Sequence, residues 1–138
     1  MKKFILLLFT ICLLCGCEKE NFNNRNPYIP NYGFSETINM SLPSYSQLQY
    51  PSNAIYYPNA GARGVIIFNT GSGYVVFDAA CPNQPISECS TMLISGIMAV
   101  CPCDDSEYNL FTGQSPGKEY PMKQYRVTQN GNVLNIFN

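Results

Sequence analysis

Short apolar runs separated by turn signals occupy the chain from Phe34 onward, and they set the expected architecture. Thr37 to Leu42 and Ala54 to Tyr57 read as strands, the second bracketed by Pro51 and Pro58. The clearest pair is Gly64 to Phe68 and Tyr74 to Asp78, joined by the turn residues Asn69 to Gly73. Its apolar density predicts a hairpin buried on at least one face. Thr91 to Ile94 and Ile97 to Val100 flank Ser95-Gly96. Gln124 to Thr128 and Asn132 to Phe137 flank Gln129-Asn130-Gly131, whose Asn-Gly pair favours a type I′ turn. After the N-terminal apolar stretch no segment keeps a helical period beyond a turn or two. The expected fold class is therefore all-β and antiparallel.

The N-terminus has a different character. Lys2 and Lys3 precede an apolar stretch from Phe4 to Leu14, then the small Gly16, then Cys17 and the polar run Glu18 to Asn21. That order is the anatomy of an export signal, and the stretch falls short of the about twenty apolar residues that a membrane span requires. Leu14-Cys15-Gly16-Cys17 resembles the lipobox of bacterial lipoproteins, in which the small residue precedes the scissile bond and the cysteine sulfur takes a diacylglycerol. The resemblance implies a signal peptide over residues 1–16 and a lipid on Cys17. An Asn-rich tether with two prolines is expected over 17–31, and a single domain over 32–138. The expected location is a bacterial cell envelope, the outer membrane in preference to the inner, with the membrane itself a partner through Cys17.

Charge and composition narrow the function classes. Without Lys2 and Lys3, six basic residues face nine acidic ones, a net charge of about −3 that offers nucleic acid no electrostatic attraction. The chain contains no histidine and no tryptophan. Absence of histidine removes the commonest general base and the commonest metal ligand. Asp78, Asp104, Asp105 and Glu107 remain as acid–base candidates, but acids in such loops read as solvated charges, so no catalytic residue is assigned. Tyr32, Tyr45, Tyr50, Tyr56 and Tyr57 read as rings at the edge of a β-core with hydroxyls in water. Their alternative role is a contact surface for a glycan or an envelope protein.

Four of the seven cysteines, Cys81, Cys89, Cys101 and Cys103, fall in the expected domain, and an even number in a small exported domain points to disulfides. Cys81 ends the run Val75 to Ala80 and opens Cys81-Pro82-Asn83. Cys101 ends a second strand and opens Cys101-Pro102-Cys103-Asp104. These segments, the aromatic-rich Tyr108 to Gly113, the Pro-containing Gly117 to Met122 and the closing hairpin Tyr125 to Phe137 resemble the Rieske iron–sulfur family in order and spacing. The resemblance covers about residues 45 to 138. It implies stacked antiparallel sheets with two cysteine loops at one tip. In that family Cys-x-His and Cys-x-x-His hold a [2Fe–2S] cluster, two cysteines on one iron and two histidines on the other.

Asn83 and Asp104 stand at the histidine positions here, so an ordinary cluster cannot be assembled, and no metal or cofactor is expected. The family's inter-loop disulfide corresponds to Cys89 and Cys103, although the long insert Pro82 to Glu88 leaves that partner choice open. Two disulfides are expected, Cys89–Cys103 as the resemblance implies and Cys81–Cys101, the pair that would share an iron, in place of the cluster, which needs their Cα atoms near about 5.5 Å. Two alternatives stay open: an atypical [2Fe–2S] electron-transfer site on Cys81 and Cys101 with Cys103 or Asp104, and a four-cysteine zinc site lacking the usual paired knuckles. The expected function is a disulfide-stapled binding or structural module rather than an enzyme.

Overall fold

The computed structural model describes residues 25–138, so the expected signal peptide, Cys17 and the start of the tether lie outside the described residues. Nine strands follow one another: β1 (Ser35–Asn39), β2 (Ala54–Tyr57), β3 (Val65–Asn69), β4 (Tyr74–Asp78), β5 (Leu93–Ser95), β6 (Met98–Val100), β7 (Glu107–Asn109), β8 (Gln124–Asn130) and β9 (Val133–Phe137). All pairings are antiparallel. A six-stranded sheet runs β1-β9-β8-β4-β3-β2 and a three-stranded sheet runs β5-β6-β7. β8 pairs with β4 through Gln124 and Tyr125, then with β9 from Arg126 onward, and the large sheet curls where it changes partner.

β3 shows why two layers form. Its period-2 alternation sends Val65 and Ile67 into one core and Ile66 and Phe68 into another, so the strand is buried on both faces. Inside the curl, Val65 and Ile67 meet Ile38, Leu48, Ile55, Val76, Leu134 and Ile136. On the other face, Ile66, Phe68 and Phe77 meet Ala99 of β6, Tyr108 of β7, Met92, Leu110 and Met122, together with Cys81 and Cys101. Each such aliphatic or aromatic burial contributes about 1.5–3 kcal/mol, and both cores draw on this one strand.

The structure departs from the expected elements in several places, each with a local cause. β1 stops at Asn39 rather than Leu42, because the Asn39 side chain accepts the Ser41 N–H at 2.9 Å and its carbonyl accepts the Leu42 N–H at 3.1 Å, which turns the chain. The β5–β6 and β8–β9 turns sit one residue later than expected. Ser95 still pairs with Met98 and Asn130 with Val133, leaving Gly96-Ile97 and Gly131-Asn132 as the turns. In both, glycine supplies a positive φ at the first turn position alone, +60° and +58°, the requirement of a type II′ rather than a type I′ turn. β7 and a 3₁₀ helix at Ser46–Gln49 were not expected, since neither has an apolar period of its own.

Residues 26–31, expected as tether, are seated on the domain. Ile29 is buried, Asn26 donates through Nδ2 to the Pro82 carbonyl at 2.8 Å, and Asn31 Oδ1 accepts from Lys123 Nζ at 3.1 Å. The asparagines that suggested a solvated linker act here as docking hydrogen bonds.

Candidate functional site

The first cysteine loop leaves the end of β4 and is anchored by Asp78. This side chain is fully buried, which corrects its reading as a solvated charge. Its carboxyl oxygens accept from the N–H groups of Ala62 (2.6 Å), Ala80 (2.7 Å) and Arg63 (3.4 Å) and from Tyr125 Oη (2.8 Å). Burial first, then the neighbouring Asp78, pushes the Tyr125 hydroxyl strongly above its ordinary range. Beyond Asp78 the loop folds back on itself: Cys81 N–H donates to the Ser90 carbonyl and Met92 N–H to the Ala79 carbonyl, both at 2.7 Å. Cys89 is thereby returned to the side of Cys81.

The second loop joins β6 to β7. Cys101 donates to the Ser106 carbonyl and Asp105 N–H returns to the Cys101 carbonyl, both at 2.9 Å. Asp105 sits at φ +58°, a left-handed conformation that aspartate tolerates better than most residues. The two loops are stapled twice. Cys81–Cys101 has a Cα separation of 5.6 Å and Cys89–Cys103 one of 5.2 Å, both within the ordinary disulfide range. The pairs differ in access: Cys81 and Cys101 are each 1% exposed, whereas Cys89 is exposed and Cys103 half-buried. Sulfurs of Cys81, Cys101 and Cys103 lie within 4.8 Å of one another.

Asn83 and Asp104 are both committed to other partners. Asn83 Oδ1 accepts the Tyr120 N–H at 2.9 Å, while its Nδ2 donates to the Tyr120 carbonyl at 2.7 Å and to Tyr108 Oη at 2.9 Å. The amide thus pairs with a backbone unit in the manner of a neighbouring strand. Asp104 accepts from Lys118 Nζ at 2.6 Å, from the Ser106 N–H at 3.1 Å and from the Ser106 hydroxyl. Lys118 and then Ser106 hold the Asp104 carboxyl down at about 2, and the same contact raises the Lys118 ammonium. Each residue ties its cysteine loop to the third segment, 110–123, at Tyr120 and Lys118.

This donor set does not fit a Rieske centre. Its cysteine sulfurs are bonded to one another, its histidine positions carry groups hydrogen-bonded elsewhere, and the chain has no imidazole to offer. A metal on Cys81, Cys101, Cys103 and Asp104 would require both disulfides to open and the Asp104–Lys118 ion pair to break.

Other candidates are dispersed. Asp105 and Glu107 are exposed. Tyr45 and Tyr57 pack on the first core, and Tyr57 Oη donates to Glu36 at 2.8 Å; Tyr32 and Tyr50 are exposed, while the ring of Tyr56 lies over Gly64 with its Oη donating to the Arg63 carbonyl at 3.0 Å. Sequence reading missed Lys118, Ser106 and the buried Lys123. Lys118 carried a signal, as a lone cation in the Pro-containing segment, but its partner lies 14 residues away. Lys123 lines an open cavity of about 800 Å³ with Arg25, Asn26, Tyr28, Asn31 and Tyr120.

No family model and no curated protein matches the chain. Solved structures similar to it include the ferredoxin of carbazole 1,9a-dioxygenase from Nocardioides aromaticivorans IC177, at 14% identity over 65% of this chain and 90% of that one, with a TM-score of 0.46. A chain from the complex of reduced oxygenase and oxidised ferredoxin in carbazole 1,9a-dioxygenase gives 18%, 67%, 85% and 0.48 for the same measures. The ferredoxin of Sphingomonas yanoikuyae B1 gives 17%, 64%, 88% and 0.45. The likeness is one of chain course, and the chemistry of the cysteine loops rests on this chain's own residues. By its own topology the chain is, over the described residues, an all-β domain of curled antiparallel sheets, with its two cysteine loops joined by Cys81–Cys101 and Cys89–Cys103.

Proposed function

We propose that the mature protein is a lipid-anchored envelope module whose Rieske-like domain works without an iron–sulfur cluster, as a disulfide-stapled binding or structural unit. One observation carries the reading: all four ligand positions are engaged within the protein, Cys81 with Cys101, Asn83 with Tyr120 and Tyr108, and Asp104 with Lys118 and Ser106. Two disulfides in a small domain suit an oxidising compartment, which agrees with the export signal and lipobox at Leu14 to Cys17. The acyl chains on Cys17 supply the attachment, at about 0.8 kcal/mol per buried CH₂; among the described residues no helix is long and apolar enough to cross a membrane.

The test is the composition of protein purified anaerobically without added reductant. The expected result is no alkylatable thiol at Cys81, Cys89, Cys101 or Cys103, no bound iron, and an acylated Cys17 by mass spectrometry. About two iron atoms per chain with absorption near 400–500 nm would overturn the reading in favour of electron transfer by an atypical [2Fe–2S] site. An unacylated mature N-terminus would remove the anchor.

A further inference from the structure

We propose that the two disulfides form a relay for thiol–disulfide exchange, in which a dithiol at the surface opens the outer pair Cys89–Cys103 and the released Cys103 in turn opens the buried pair Cys81–Cys101, leaving a Cys81–Cys103 bond. The inference rests on the disulfide-closed reading above and adds an activity to it. Three features of the cysteine loops carry it. Access is graded: Cys89 is exposed, Cys103 half-buried, and Cys81 and Cys101 are 1% exposed, so an external thiolate meets only the outer pair. Contact between the pairs is close, since Cys103 Sγ lies within 4.8 Å of both inner sulfurs. Finally, hydroxyls surround the outer pair: Ser87 Oγ is 3.3 Å from Cys89 Sγ and 3.8 Å from Cys103 Sγ, and the buried Ser90 Oγ is 3.9 Å from Cys103 Sγ. When Cys103 is released as a thiolate, two hydroxyls lie within 3.9 Å of it against the single Ser87 hydroxyl beside Cys89, which favours Cys103 as the leaving group of the outer pair.

The exchange proceeds in three balanced steps. A thiolate of the external dithiol attacks Cys89 Sγ; a new S–S bond forms to that sulfur, the Cys89–Cys103 bond breaks, and its electron pair leaves on Cys103. The Cys103 thiolate then attacks Cys81 Sγ, forming Cys81–Cys103 and expelling Cys101 as a thiolate that takes a proton from water. Attack at Cys81 is favoured over attack at Cys101 because Cys101 and Cys103 are separated by Pro102 alone, and a bridge between them would close a strained ring. In the last step the second thiol of the dithiol displaces Cys89, closing the external disulfide and freeing the Cys89 thiol. Two electrons have passed from the dithiol to the protein, which now holds Cys81–Cys103 and thiols at Cys89 and Cys101.

The experiment treats the folded protein with one equivalent of dithiothreitol under anaerobic conditions, quenches with an alkylating agent and maps the cysteine peptides by mass spectrometry. The expected early product has a Cys81–Cys103 linked peptide with alkylated Cys89 and Cys101. A Cys89→Ser/Cys103→Ser variant should open its inner disulfide at least tenfold more slowly than the wild type. A Cys81→Ser/Cys101→Ser variant should lose its outer disulfide at the wild-type rate. Equal inner-pair rates with and without the outer pair, or a wild-type map holding native pairings alone, would overturn the relay. The wild-type map decides the matter even if a variant fails to fold. Failure of the disulfide-closed reading is distinguishable, because it gives alkylated cysteines or iron before any dithiothreitol is added.

Discussion

Replacing Asp78 by alanine should be among the most damaging single changes in this domain, and its size follows from the hydrogen bonds that converge on it. The carboxyl is 0% exposed and accepts at 2.6–2.8 Å from Ala62 N–H, Ala80 N–H and Tyr125 Oη, with Arg63 N–H more distant at 3.4 Å. Asp78→Ala leaves three close donors without an acceptor, each at a cost of about 1–3 kcal/mol. Water entering the gap would recover part of this, so we expect a loss of about 3–5 kcal/mol. At about 4 °C per kcal/mol for a domain of this size, the melting temperature should fall by on the order of 12–20 °C. Tyr125→Phe removes one of the donors together with its need for an acceptor, and should cost about 1 kcal/mol. The loop around the carboxyl leaves no slack: a Cβ on Gly61 would stand 2.5 Å from Asp78 Oδ2. Thermal and urea unfolding of the oxidised proteins by circular dichroism would measure both variants. If Asp78→Ala loses less than about 1 kcal/mol, the assignment of Asp78 as the anchor of the first cysteine loop is wrong.

Two further outcomes test the pins on the third segment. Asn83→Ala deletes the amide that brackets the Tyr120 backbone and reaches Tyr108, and should cost about 1–3 kcal/mol; hydrogen exchange should show the Tyr120 N–H losing protection, and unchanged protection there would refute the bracket. The Asp104 carboxyl is lowered from 3.8 to about 2 by Lys118 and Ser106. A depressed carboxyl stabilises the fold above its unfolded value and loses that contribution as pH falls through its folded one. The stability gap between the wild type and Asp104→Asn should therefore be full above about pH 4 and shrink toward pH 2. Because about a third of each side chain is exposed, the gap should be about 1 kcal/mol or less. Urea midpoints compared across that range would show it, and a gap constant from pH 7 to pH 2 would contradict the ion pair as its source.

Much of this protein was already legible in its residues. Short apolar runs bounded by turn residues marked the β3–β4 hairpin and the strands of the other two hairpins, since such a run is a local property that a strand buried on a face carries. The composition itself, with no histidine anywhere, withholds the imidazole pair of an ordinary Rieske donor set. Even the positions of the cysteine loops followed from strands ending at Asp78 and Val100. What the tertiary structure decided were the pairings across distance. The apolar density of β3 predicted burial on at least one face, but only the stacked second sheet explains why Ile66 and Phe68 are covered as fully as Val65 and Ile67. Asp78 looked like a loop charge because three of its four donors come from residues 62, 63 and 125, which no local window contains. The same holds for Lys118 finding Asp104, for Asn83 finding Tyr120, and for residues 26–31 docking through Asn26 and Asn31. A sequence states which groups need partners, whereas the partner itself is chosen by the chain reversal that brings distant backbone within about 3 Å.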